Sequence, residues 1–184
     1  MKILQSTVKK LTLTDLDRLD PVTVFIEDYE PGKGKITFEC FGKSWSYYWG
    51  GMSGLGIAEF FLSCNAAYLV NCLWDHSQES TELDYDGLTE TIRKSTLELR
   101  RENLIDGFTA REMYNIEDWS DYAPKHCYDT WTCPDLIMES DFERYGLWED
   151  DIPTKSTPDY CYLARIVEAI SKAFSIINQG DSKQ

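Results

Sequence analysis

Only two histidines, His76 and His126, are present for general acid–base work or metal binding. His126-Cys127, with Cys133 six residues on, supplies three zinc donors, and His76 is a fourth in principle. That spacing matches no common zinc finger or ribbon, and no Cys-x-x-Cys pair occurs, so ordinary buried thiols and a surface histidine are the favoured reading. The same residues contain the parts of a thiolate activated by an imidazole base, yet nothing in the local sequence fixes that geometry. Carboxylates are the abundant chemistry. Glu27, Asp28 and Glu30 lie close together, as do Glu149, Asp150 and Asp151, and two or three such groups suffice to hold Mg²⁺ for phosphoryl hydrolysis. With 32 acidic residues in a chain of 184, however, such clusters arise by chance and are more often solvated faces.

Two further stretches invite a ligand. Gly50, Gly51, Gly54 and Gly56 superficially suggest a phosphate loop, but no Lys or Arg lies among them and neither glycine-rich nucleotide fingerprint fits. Their expected role is conformational freedom at a tight strand-to-helix turn. Just before them, Trp45, Tyr47 and Trp49 have the rings of a base-stacking platform for single-stranded nucleic acid. Only Lys33, Lys35 and Lys43 supply nearby positive charge, so core packing or a protein interface is favoured for these aromatics.

The elements that position these groups follow from composition and periodicity. Hydrophobic residues make up 42% of the chain and aromatics 14%, enough apolar surface to offset the entropy of ordering a backbone. A single α+β domain over 1–184 is expected, strand-rich over 1–50 and helical over 55–180. No run of 18 apolar residues predicts a transmembrane helix, and MKILQSTVKK has no apolar signal core. The six cysteines show no compact framework spacing, which predicts reduced thiols in a cytoplasm.

PVTVFIEDYE and KITFECFGKSWSYYW read as two strands of a hairpin joined through PGKGK. Within the second, Ile36, Phe38 and Cys40 alternate on one parity, whereas Trp45, Tyr47 and Trp49 fall on the other. A bulge at Gly42 would bring both sets to one face. Lys2–Thr14 reads as an edge strand leading into a turn of helix over Thr14–Leu19. Leu55–Trp74 is apolar all round and predicts buried helix, broken near Asn65. Tyr85–Ile105 predicts a surface helix ended by Asp106-Gly107. Thr109 with Glu112 then reads as a capping box for the next. Asp135–Gly146 is the best helical stretch of a proline-punctuated segment, and Tyr162, Ile166, Ile170 and Phe174 mark a C-terminal helix from Pro158.

Charge is the strongest global feature: 18 basic against 32 acidic residues give a net −14, which opposes non-specific nucleic-acid binding. Residues 106–160 carry 14 acidic and four basic side chains, so most of the excess lies there.

The stretch KITFECFGKSWSYYWGGMSGLGIAEFFLSCNAAYL, with LDRLDPVTVFIEDYEPGKG before it, resembles the N-terminal part of small uncharacterised proteins encoded by enterobacterial phages and prophages. The likeness covers about the first 70 residues together with the PDYCYLARIVEAI helix. It implies an accessory phage protein and carries no catalytic motif. Small acidic phage proteins often bind a host protein, and some anti-defence proteins use carboxylates to imitate the phosphates of DNA. The expected function is therefore a cytoplasmic, non-enzymatic inhibitor or modulator of a host nucleic-acid-handling or defence protein. It needs no cofactor, and its partner presents a basic surface. By charge density the expected face comprises Asp118, Asp121, Asp129, Glu139, Asp141, Glu143, Glu149, Asp150 and Asp151. The alternatives are a metal-dependent hydrolase or nuclease built on clustered carboxylates, or a single-strand binder using the aromatic strand.

Overall fold

Alternation of Val22, Val24 and Ile26 with Thr23, Phe25 and Glu27 builds strand β2 (Val22–Glu30), the first three side chains buried and the others turned to the opposite face. The computed structural model describes residues 2, 3, 5, 7–123 and 141–181, with side chains at all of these except 141, 180 and 181. Strand β2 lies between β1 (Lys9–Leu13) and β3 (Lys33–Cys40), and β4 (Lys43–Trp49) completes an antiparallel sheet of order β1-β2-β3-β4. The expected hairpin is thus β2–β3, with β1 at one edge.

The second predicted strand is in fact two. Phe41 and Gly42, at φ +47 and +76, form a two-residue hairpin loop between β3 and β4. Positive φ at both central residues is what the tightest right-twisting hairpin loops require. The expected bulge at Gly42 is therefore corrected to a turn. The parity change has the same consequence by another route, because Phe38 pairs with Trp45 and Ile36 with Tyr47, and directly opposed residues share a face. A register shift occurs instead in β2, between Asp28 and Glu30. The expected turn of helix over Thr14–Leu19 is also corrected: Asp15 and Arg18 sit at φ +57 and +53, which no right-handed helix accommodates.

Helices α1 (Ile57–Ser63) and α2 (Ala66–Leu73) break where expected, since Asn65 Oδ1 accepts the Tyr68 N–H at 2.7 Å and caps α2. Their buried residues, among them Ile57, Phe61, Leu69 and Val70, close over the apolar face of the sheet. The C-terminal helix, Pro158–Asp181, adds Leu163, Ile166, Ile170 and Phe174 to this core. The connection into α1 crosses the β2–β3 turn closely: Met52 N–H donates to Gly32 O at 2.8 Å, and a Cβ on Gly32 would come within 2.9 Å of Gly54 N. Only glycine fits there.

In chain order the fold divides into two compact units, one of residues 1–80 and 156–184 and the other of residues 81–155, inserted between α2 and the C-terminal helix. Strands β5 (Thr81–Leu83) and β6 (Thr154–Ser156) pair where the chain enters and leaves the insertion. Between them come α3 (Tyr85–Arg101), α4 (Gly107–Asn115), a 3₁₀ turn at Trp119–Asp121, α5 (Asp141–Arg144) and a 3₁₀ turn at Glu149–Asp151, which makes the C-terminal helix α6. Leu88, Ile92, Met113, Trp119, Phe142, Leu147 and Ile152 form this unit's own core. The Thr109 capping box is corrected to an earlier cap. Asp106 Oδ1 accepts from both Phe108 N–H and Thr109 N–H at 2.8 Å, and these bonds hold its carboxyl below the usual range. A carboxylate that takes two orphan helix donors leaves Thr109 inside the helix. Of the predicted helix over Asp135–Gly146, residues 141–144 are helical and 135–140 lie outside the described residues. The architecture is α+β, and Cys40, Cys64, Cys72 and Cys161 are free thiols.

Candidate functional site

Acidic charge is partitioned between the two units. Residues 81–155 carry 19 acidic and eight basic side chains, net −11 of the chain's −14, and the remainder of the chain carries −3. Several of the described basic groups are engaged inside the unit. Lys155 bridges Asp84 and Asp86 at 3.2 and 2.9 Å, which raises its pKa. Arg93 donates to the backbone carbonyls of Tyr114 and Ile116 at 3.1 and 3.0 Å, at the end of α4.

The segment Leu147–Ile152 shows how acids are pushed outward. Leu147 and Ile152 are buried at its two ends, so the four residues between them turn toward solvent. Glu149, Asp150 and Asp151 occupy the 3₁₀ turn, all exposed, and Asp151 Oδ2 accepts the Trp148 N–H at 2.7 Å to close it. Trp148 itself remains 62% exposed beside three carboxylates. Burying an aromatic side chain is worth several kcal/mol of transfer free energy, most of which this largely exposed indole forgoes.

Trp119 organises the neighbouring acids. It is fully buried, its indole N–H donates to Met113 O at 3.2 Å, and its ring meets Phe142 and Tyr145 edge-on at 5.9 and 5.5 Å. Asp118 and Asp121 flank it on the exposed side, Asp118 accepting from Ser120 N–H at 2.8 Å. Glu143 follows Phe142 and is exposed. Six expected acids are therefore exposed within two residues along the chain of Trp119, Phe142, Leu147 or Ile152, all members of one core. Asp129 and Glu139 lie outside the described residues, as do His126, Cys127 and Cys133, and of Asp141 only the backbone position at the start of α5 is described. Sequence reasoning missed Trp148. Its signal was a tryptophan in front of Glu-Asp-Asp, where an apolar residue has no acidic reason to be.

The aromatic strand faces the helices. Trp49 is buried with its Nε1–H donating to Tyr68 OH at 3.2 Å, and it packs on Phe60 and Phe61 at 5.6 and 6.4 Å. Trp45 stacks on Phe38 at 5.5 Å, and Tyr47, at the edge of the layer, packs on Trp49 at 4.9 Å. The acids near the first hairpin are engaged separately, Asp28 Oδ1 accepting the Ile57 N–H at 2.8 Å and Glu30 pairing with Lys33 at 2.9 Å. Among the described residues no three His, Cys, Asp or Glu side chains are grouped to hold a metal ion. Likewise no described helix is long and apolar enough to cross a membrane.

A family model, Phage_phiTE_072, described as a phage family, matches residues 1–175. No curated protein matches the chain significantly. No solved structure does so either.

Proposed function

The chain belongs to this phage family, and from that premise we propose that it is a non-enzymatic binding protein of an enterobacterial phage or prophage. In this reading it acts in the host cytoplasm and inhibits or modulates a nucleic-acid-handling or defence protein. The observation that carries the proposal is the concentration of net −11 in the inserted unit, with Trp148 exposed at the N-cap of its last acidic turn. Carboxylates on an open surface compete with DNA phosphates for the same Lys and Arg side chains, and the field of a strongly acidic unit steers a basic partner toward it. An exposed tryptophan supplies what charge alone lacks, a desolvated anchor at the centre of a contact.

Affinity capture from host lysate with the full-length chain tests this. Wild type is expected to retain a nucleic-acid-binding protein that duplex DNA and raised salt both release. Glu149→Gln/Asp150→Asn and, separately, Trp148→Ala are expected to lose it; Asp151 is spared because it closes the turn. If wild type and both variants retain the same proteins equally, the acidic face is not the binding surface.

A further inference from the structure

On the unit that holds the four-stranded sheet, a cleft of about 400 Å³ runs beside Lys43–Ser46 of β4. Strand β4 ends the sheet order, so no strand of that sheet pairs with its outer edge. The cleft is walled by Lys43 and Trp45 from β4, Trp74 from the C-cap of α2, Asp75 and Gln78 from the following turn, and Asp159 from the first turn of α6.

These walls are held in place from behind. Trp45 lies nearly parallel to Phe38, with planes 26° apart, and remains partly exposed along the cleft. Trp74 meets Tyr160 edge-on at 5.2 Å, and its indole N–H donates to Gln78 O at 3.1 Å. Asp75 accepts the Ser77 N–H at 3.0 Å, a bond that lowers its pKa and keeps the carboxylate charged. Asp159 is bound by Lys43 Nζ at 3.1 Å, with the two side chains 60% and 58% exposed.

Trp45, partly exposed beside two carboxylates, can attract a cation, whereas Trp74 at 8% exposure only walls the cleft, and guanidinium is the commoner partner of an aromatic face. Counting Lys43, Asp75 and Asp159, the lining is still net −1. The Lys43–Asp159 pair is solvated, so it contributes little and opens readily. A guanidinium fork can grip a carboxylate through two parallel hydrogen bonds, which an ammonium cannot. The volume lies near the lower end of the roughly 300–1,000 Å³ range of ligand pockets, suited to one long side chain. The open strand edge suits the extended backbone that carries it.

We infer that this cleft receives an arginine side chain from an extended segment of a partner protein, with the guanidinium against Trp45, in a cleft that Trp74 closes, and paired to Asp159 in place of Lys43. The site lies on the unit without the acidic turn, so it stands or falls separately from the proposed acidic face.

The test titrates the full-length protein with the capped tripeptides acetyl-Val-Arg-Val-amide and acetyl-Val-Glu-Val-amide, following the assigned indole N–H resonances. The arginine peptide is expected to shift Trp45 and Trp74 and leave Trp148 unmoved, while the glutamate peptide shifts none. Lys43→Ala is expected to tighten arginine-peptide binding several-fold by freeing Asp159. Asp159→Asn is expected to weaken it by about tenfold, the loss of a charge-assisted pair. Both positions are exposed, and circular dichroism checks that each variant folds. The inference is overturned if the glutamate peptide binds better, if neither peptide shifts Trp45 or Trp74, or if the two substitutions change affinity in the same direction or not at all. Glu149→Gln/Asp150→Asn, which disables the acidic turn, is expected to retain the arginine-peptide shifts; their loss would also overturn it.

Discussion

Phe41 sits at φ +47 in the β3–β4 loop and is 81% exposed, so it neither fits its backbone well nor buries its ring. Left-handed backbone costs an L-residue about 1–2 kcal/mol, and Asn tolerates it best after Gly. Phe41→Asn is therefore expected to stabilise the fold by about 1 kcal/mol, seen as a higher urea midpoint. A lower midpoint would show that the ring is packed to a purpose. Phe-Gly also hid the hairpin in the sequence, because the usual signal at that position is Asn-Gly or Asp-Gly. Tyr162 shows the opposite fit. Its hydroxyl shares a hydrogen bond with Cys40 Sγ at 3.1 Å, and that bond first, then burial, pushes its pKa from 10.0 to about 12. The unfolded chain releases this proton near pH 10 and the folded chain holds it, so the stabilisation is complete below pH 10 and lost as pH rises toward 12. Tyr162→Phe is expected to flatten part of that decline in chemical denaturation between those limits.

At the scale of elements, β4 illustrates how position within a strand decides what an aromatic does. Trp49 is 5% exposed and touches Phe60, Phe61, Tyr47 and the Tyr68 hydroxyl, whereas Trp45, against Phe38 and Tyr162, stays partly exposed. Trp49→Ala is expected to destabilise by roughly 3–5 kcal/mol, as fully buried aromatics do when truncated. Trp45→Ala is expected to cost clearly less in the same denaturant titration. Equal losses would mean that the partial exposure of Trp45 does not lessen its share of the packing. The alternation of Val22, Val24 and Ile26, the break at Asn65 and the α6 stripe were all legible because period and cap chemistry are local. The Asp106 cap was misread because Thr109 with Glu112 matched a motif as well, and only the hydrogen bonds show which side chain captured the helix donors.

At the scale of the whole molecule, each unit has its own hydrophobic cluster, one beneath the four-stranded sheet and one around Trp119. Stability need not be uniform across such a chain, and local opening follows the packing of each cluster. Trp119→Ala is expected to quicken amide hydrogen exchange in α3 and α4 while exchange in β2 and β3 stays near wild type. Equal acceleration in both sets would mean that the chain opens only as a single body. The family match over residues 1–175 spans both units, well beyond the roughly 70 residues and one helix on which the resemblance rested.

By itself the sequence determined the strand and helix periods, the total charge and its crowding into the second half, and the phage resemblance, because each is a property of neighbours along the chain. Tertiary structure alone decided that residues 81–155 close on themselves as a unit, since β5 and β6 pair across a long separation that no local pattern records. It also decided that Leu147 and Ile152 are buried while Trp148 is not. Exposure depends on what packs from elsewhere in the chain, and three apolar residues within six positions look alike until that packing is known.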